Sequence, residues 1–145
     1  MFSGAYAHSV DDKGRTVIPA RFRQKLGEKF VMTKGLHGCL WVFADRDWRE
    51  IVQKLTPKSL LDERGVKLER YFLGAACECV PDKQGRVAIS QMLLAHSGIK
   101  AGGDVWVVGL MDKVEIWSKS RWDEFNASLT DDVIADLGME VEAPQ

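Results

Sequence analysis

At 145 residues, 46% of them hydrophobic, the chain is long enough for one ordinary domain or for two small ones that share a core. No apolar run approaches the roughly 18 residues a membrane span needs, and no basic segment followed by a hydrophobic one opens the chain, so the expected location is the cytoplasm. The net charge of −1 argues against a nucleic-acid partner only until its distribution is considered: residues 1–54 hold ten Lys/Arg against six Asp/Glu, and residues 129–145 hold five acids and no base.

In chain order, residues 5–10 read as a short strand that enters a turn at Asp11-Asp12-Lys13-Gly14. Gly14 supplies the positive φ that such a turn needs, and Asp11 is placed to accept hydrogen bonds from the turn's own N–H groups. Arg15–Ile18 is β-branched and strand-like, and Pro19 suits the first position of a helix. In that helix Phe22 and Leu26 are four apart and face a core, while Arg21, Arg23 and Lys25 face water. Phe30–Thr33 and Cys39–Phe43 read as a hairpin around Lys34–Gly38. A helix capped by Asp45 or Asp47 follows, with Trp48, Ile51, Val52 and Leu55 on its inner face.

Residues 56–74 read as a connecting helix that Ser59 starts, with Leu61, Leu68 and Phe72 on one apolar stripe. Strand Ala75–Val80 then meets a second turn at Asp82–Gly85, and Arg86–Ile89 leaves it. Ser90 is a helix cap with Leu93 and Leu94 beyond it. Val105–Val108 and Val114–Trp117 pair as a hairpin, and Ser118 or Ser120 caps a helix carrying Trp122, Phe125 and Leu129. The tail from residue 130 is acidic, and its last residues are expected to fray.

The plan therefore occurs twice. Asp11, Gly14 and Arg15 return as Asp82, Gly85 and Arg86 at a constant offset of 71, and Trp48 and Ile51 return as Trp122 and Phe125 at an offset of 74. A duplicated turn that presents a duplicated Arg suits a repetitive polymer such as double-stranded DNA. The planar guanidinium matches a phosphate, or the O6/N7 edge of guanine, in two-pronged fashion. Lys13 and Lys83 are flexible point charges suited to phosphate, and Arg21 and Arg23 stand ready to widen the footprint. Asp11, Gly14, Asp82 and Gly85 stabilise the turns. Arg15 is expected to contribute more than Arg86, because Gln84 stands where the first turn has Lys13, although Lys83 partly compensates.

The doubled Asp-x-x-x-Arg turn, the order strand–helix–hairpin–helix and the stretch Phe72-Leu-Gly-Ala-Ala76 resemble the MraZ family of bacterial transcriptional regulators over essentially the whole chain. One departure is Ser90, where that family usually has Pro. The resemblance implies an α+β, mainly β fold: a tandem, pseudo-symmetric AbrB-like swapped-hairpin β-barrel with short flanking helices. Repeats at 5–52 and 81–124 would be joined by a helical connector at 53–78 and followed by an acidic tail at 130–145. It also implies a ring-like homo-oligomer, associated with the nucleoid, that binds direct repeats in the promoter of the division and cell-wall gene cluster, typically as a repressor. It implies no cofactor, no metal and no catalysis.

Other chemistry is weakly signalled. His8, His37 and His96 are scattered, Cys77 and Cys79 lack zinc spacing, and the three cysteines read as free thiols. No Gly-rich phosphate loop and no nucleophile in a recognisable context occurs, so neither an enzyme nor a small-molecule substrate is expected. The five tryptophans fall on expected core faces or hairpins. The alternative class is a ring-forming scaffold or antitoxin-like partner whose Arg turns meet an acidic protein.

Overall fold

The computed structural model describes residues 1–138, which fold as eight strands and six helices. Strand β1 (Phe2–Ser9) runs into the first Asp turn and β2 (Arg15–Val17) leaves it. Helix α1 (Ala20–Leu26) begins after Pro19, which stands at the N-cap rather than inside the helix, and it buries Phe22 and Leu26 as their spacing predicts. The hairpin of β3 (Phe30–Lys34) and β4 (Leu40–Ala44) leads to α2 (Asp45–Leu55), and α3 (Glu63–Phe72) crosses to the second half. There β5 (Cys77–Cys79), β6 (Arg86–Ala88) and α4 (Gln91–Ser97) repeat the opening, and β7 (Asp104–Met111), β8 (Lys113–Ser118) and α5 (Lys119–Ser128) repeat the rest. A final helix, α6 (Asp131–Gly138), closes the described chain.

The strands form an antiparallel six-stranded sheet, in the order β1-β7-β8-β4-β3-β5, and a separate two-stranded ribbon of β2 and β6. Each repeat completes the other: β1 pairs with β7, β3 with β5, β4 with β8 and β2 with β6. Two registers locate a pseudo-two-fold axis. Thr16 opposes Val87, its equivalent at the offset of 71, and Trp41 opposes Glu115, its equivalent at the offset of 74. Between ribbon and sheet lies the main core, where Ile18, Phe22, Val87 and Leu93 meet Met32, Val42, Val107 and Ile116. Burial of these side chains in a close-packed interior is the main stabilising contribution.

The sheet departs from the closed barrel that the resemblance implies. Its outer strands are β1 and β5, and the ribbon joins the strand path through the Val10–Thr16 bridge. The reason is local. The chain turns away after each edge strand, and the backbone groups of Asp11 and Asp82 are used inside the turns, the N–H groups to Arg15 and Arg86 and the carbonyls to Gly14 and Gly85, instead of extending a ladder. Pro81, which has no N–H, also keeps β5 to three residues, shorter than the expected Ala75–Val80.

Three caps differ from expectation or are decided by the structure. Neither Asp45 nor Asp47 caps α2; Ala44 stands at that N-cap, and Asp45 pairs with Arg49 one turn on. The connecting helix starts at Asp62, whose carboxylate accepts from Gly65 N, and not at Ser59, whose hydroxyl serves Leu61 N. Leu61 therefore lies outside the helix and exposed. Gly65 has a packing reason there: a Cβ would come within 2.6 Å of the capping Asp62 carboxylate and 3.0 Å of Pro57 Cα. Ser90 and Ser118 do cap α4 and α5.

On the outer face of the sheet, Glu115 accepts hydrogen bonds from the indole N–H groups of Trp41 and Trp117, both at 2.8 Å. Trp48 and Trp117 are buried, and Trp41, Trp106 and Trp122 half-buried. All three cysteines are free thiols, and burial pushes the Cys79 thiol up to about 12. Within the acidic tail residues 131–138 form α6; its last residues, expected to fray, fall in 139–145, outside the described residues.

Candidate nucleic-acid interface

The two Asp turns have the same internal bonding. Asp11 Oδ1 accepts from the backbone N–H of Lys13 and Arg15, both at 2.9 Å, while Oδ2 accepts from Arg15 Nε at 2.8 Å. Asp82 Oδ1 accepts from the N–H of Gln84 and Arg86 at 2.9 Å, and its Oδ2 from Arg86 Nε at 2.8 Å. Gly14 and Gly85 close the turns at φ of +76° and +78°, a backbone region that side chains with a Cβ rarely adopt. The carboxylate thus does two things at once. It satisfies the turn's N–H groups, and it grips the guanidinium through Nε, which orients the outer end of the Arg.

The backbone N–H of Arg15 holds the Asp11 carboxyl below the ordinary carboxylate range, with the Arg15 side chain and the Lys13 N–H adding to the effect. The N–H of Arg86 does the same for Asp82. A depressed carboxyl stabilises the fold above its unfolded pKa, about 4, and that contribution is lost as pH falls through the lower folded value. Asn at both positions keeps a carbonyl acceptor but not the titration. The Asp11→Asn/Asp82→Asn protein is therefore expected to show a thermal midpoint that varies less with pH below about 4 than the parent's does. Equal pH profiles would contradict it.

Ribbon pairing brings the two turns together. Arg15 sits opposite Ala88, and Val17 opposite Arg86. Thr16 and Val87 point into the core, so both Arg side chains stand on the outer face, with 29% and 31% of their side-chain surface exposed. Arg86 Nη1 lies 3.9 Å from the same Asp11 oxygen that holds Arg15 Nε. The two guanidiniums are therefore neighbours on one carboxylate, and two motifs 71 residues apart in sequence form a single cationic surface.

The flanking cations divide. Lys13 and Lys83 are exposed within the turns. Arg21 lies on α1 and donates to the hydroxyl of Tyr6. Arg23 faces inward more than its helical position suggests: its Nε donates to Ile18 O at 2.8 Å, and its guanidinium covers Gly85, where a Cβ would come within 2.5 Å of Cζ. The equivalent residue in the second repeat is Leu94, whose Cδ1 lies over Gly14. Each repeat's helix thus roofs the other repeat's turn. Neither Leu94 nor Tyr6 stands out as a site residue in the sequence, although the 71-residue offset that maps Arg23 onto Leu94 is readable there.

This cross-packing places a further cation at the second turn. The second turn has Lys83 where the first has Asp12, and it gains Arg23 from the opposite repeat. The absence of a lysine at Gln84 is thereby offset. Among the described residues no group of three His, Cys, Asp or Glu side chains gathers as a metal site would require, and no helix is long and apolar enough to cross a membrane.

Comparison with known proteins finds a family described as "MraZ protein, putative antitoxin-like", whose model matches residues 1–68 and 72–136. A protein named Transcriptional regulator MraZ from Caldanaerobacter subterraneus subsp. tengcongensis is 45% identical over 128 residues, 88% of each chain. A protein of the same name from Lachnoclostridium phytofermentans is 44% identical over 137 residues, 94% of each chain. Another, from Clostridium beijerinckii, is 43% identical over 144 residues, covering 96% of this chain and all of that protein.

Proposed function

This chain belongs to the MraZ family, and on that premise we propose that it is a transcriptional regulator that binds double-stranded DNA through the joined Arg15 and Arg86 turns. The observation that carries the reading is the shared Asp11 oxygen, which places two pre-oriented guanidiniums on one outer face. Arg15 and Arg86 read base edges or grip phosphates; Lys13 and Lys83 anchor phosphates; Arg21 adds charge beside them. Arg23 acts chiefly by holding the second turn. The pairing of each repeat's strands with the other's supports an AbrB-like swapped-hairpin organisation, with tandem units at 5–52 and 81–124 joined by the 53–78 connector.

The target in this proposal is a set of direct repeats in the promoter of the division and cell-wall gene cluster, and the effect is repression by a nucleoid-associated, cytoplasmic protein. A single subunit makes few contacts. A ring-like homo-oligomer that sets several copies of the Arg face against spaced boxes raises avidity by about 10² to 10⁴ through effective concentration. The competing reading is a scaffold or antitoxin-like protein whose Arg face meets an acidic protein.

A gel shift separates the two. Direct-repeat promoter DNA is expected to bind at concentrations where a scrambled duplex does not. Affinity should fall steeply between about 50 and 200 mM salt, as phosphate neutralisation releases counterions. Equal retardation of both duplexes, or a flat salt profile, would count against this function.

A further inference from the structure

Helix α6 and the connector groove are two exposed, unlike surfaces of one subunit. Every residue of α6 is exposed, including the apolar stripe Val133, Ile134 and Leu137, and its charged residues Asp131, Asp132 and Asp136 are all acidic. Isolated helices shorter than about 12–15 residues are marginal in water, and α6 has eight residues. Its own subunit leaves the apolar stripe of this short helix uncovered.

The connector offers a complementary surface. Leu60 and Leu61, 96% and 90% exposed, open a groove of about 380 Å³ that runs on to Val66, with Lys67, Arg70 and Glu63 at its rim. At the rim two cations, Lys67 and Arg70, stand beside one acid, Glu63; the rest of α3 adds Arg64 and Glu69, one charge of each sign. Apolar residues framed by acids on α6 thus meet apolar residues framed mainly by bases on the connector. Both surfaces are exposed in the same subunit, so they are not joined in cis.

We propose that α6 of one copy docks in the Leu60–Leu61 groove of a second copy. Unlike patches that meet head to tail generate a ring when the rotation closes. The inference rests on the self-association reading above and deepens it by naming the surfaces.

The test uses the full chain and light scattering at fixed concentration. The parent is expected to show a mass several times 16.3 kDa. Ile134→Asp/Leu137→Asp and Leu60→Asp/Leu61→Asp alter exposed side chains only, and each is expected to reduce the assembly to single subunits. Mixed one to one, these two variants retain one intact α6 and one intact groove between them. They are expected to form a species of about twice the subunit mass and nothing larger. Variants that had merely misfolded would not recombine. Parental mass in either variant, or no recombination between variants whose thermal midpoints match the parent's, overturns the docking while leaving the ring reading standing if the parent is assembled. A parent of one subunit mass overturns both. Tighter DNA binding by the α6 variant at unchanged mass would place α6 over the Arg turns instead, and would also overturn the docking.

Discussion

Replacing Arg15 with Ala is expected to reduce operator affinity by about 10²-fold or more while leaving the thermal midpoint close to the parent's. A two-pronged guanidinium contact to guanine is worth about 1–3 kcal/mol of discrimination, and the loss is repeated at every copy that touches DNA. The stability cost is small because the Asp11–Arg15 pair is partly exposed, and because Asp11 still accepts from the N–H groups of Lys13 and residue 15. From the sequence alone, Arg86→Ala is the milder change. The structure alters that expectation: both Arg side chains are held through Nε by an Asp at 2.8 Å, they share one face, and Arg23 adds charge at the second turn. Arg86→Ala is accordingly expected to fall within about threefold of Arg15→Ala. Titrations by gel shift or anisotropy at one stated salt concentration check this. An Arg15→Ala protein that binds like the parent removes the Arg face from the mechanism, and an Arg86→Ala protein that binds like the parent restores the original ranking.

Phe22→Ala should have the largest effect on stability. Phe22 is 2% exposed and meets Phe2 and Tyr6 edge-on, with ring centroids 5.7 and 5.4 Å away. Removing a buried Phe typically costs about 3–5 kcal/mol, because the cavity left behind does not collapse fully. That is a large part of a domain's total of about 5–15 kcal/mol, and corresponds to about 10 °C or more of thermal midpoint at fixed protein concentration. DNA binding is expected to be lost with it. Phe22 fixes α1, and α1 carries the Arg23 that roofs Gly85, so loosening the helix loosens the second turn. Phe22→Leu retains most of the volume and is expected to retain most of the stability. A midpoint shift of only about a degree in Phe22→Ala would show that α1 is not part of the cooperative core.

Local chemistry made the turns legible. Asp, Gly and Arg at positions one, four and five admit few backbone paths, and both copies take the same one. The hairpins Phe30–Ala44 and Asp104–Ser118 were likewise readable from short apolar runs around turn residues. Pairing between repeats was implied by the family resemblance but not readable from the residues themselves, because a three-residue strand such as Arg15–Val17 carries no signal for a partner 71 residues away. The same gap hid the neighbouring guanidiniums and the inward turn of Arg23. Ser59 and Asp62 are equally good caps by type; in the fold Asp62 accepts from Gly65 N while Ser59 serves Leu61 N. Composition marked residues 130–145 as an acidic tail, yet Val133, Ile134 and Leu137 share one helical face within it, and that spacing could have flagged α6.

Hydrogen exchange of the full chain, with and without direct-repeat promoter DNA, tests the joined-turn surface most directly. DNA is expected to slow exchange together at residues 11–17 and 82–88, the two turns and the ribbon strands they carry. Slowing confined to one turn, or to neither while DNA is fully bound, would contradict it.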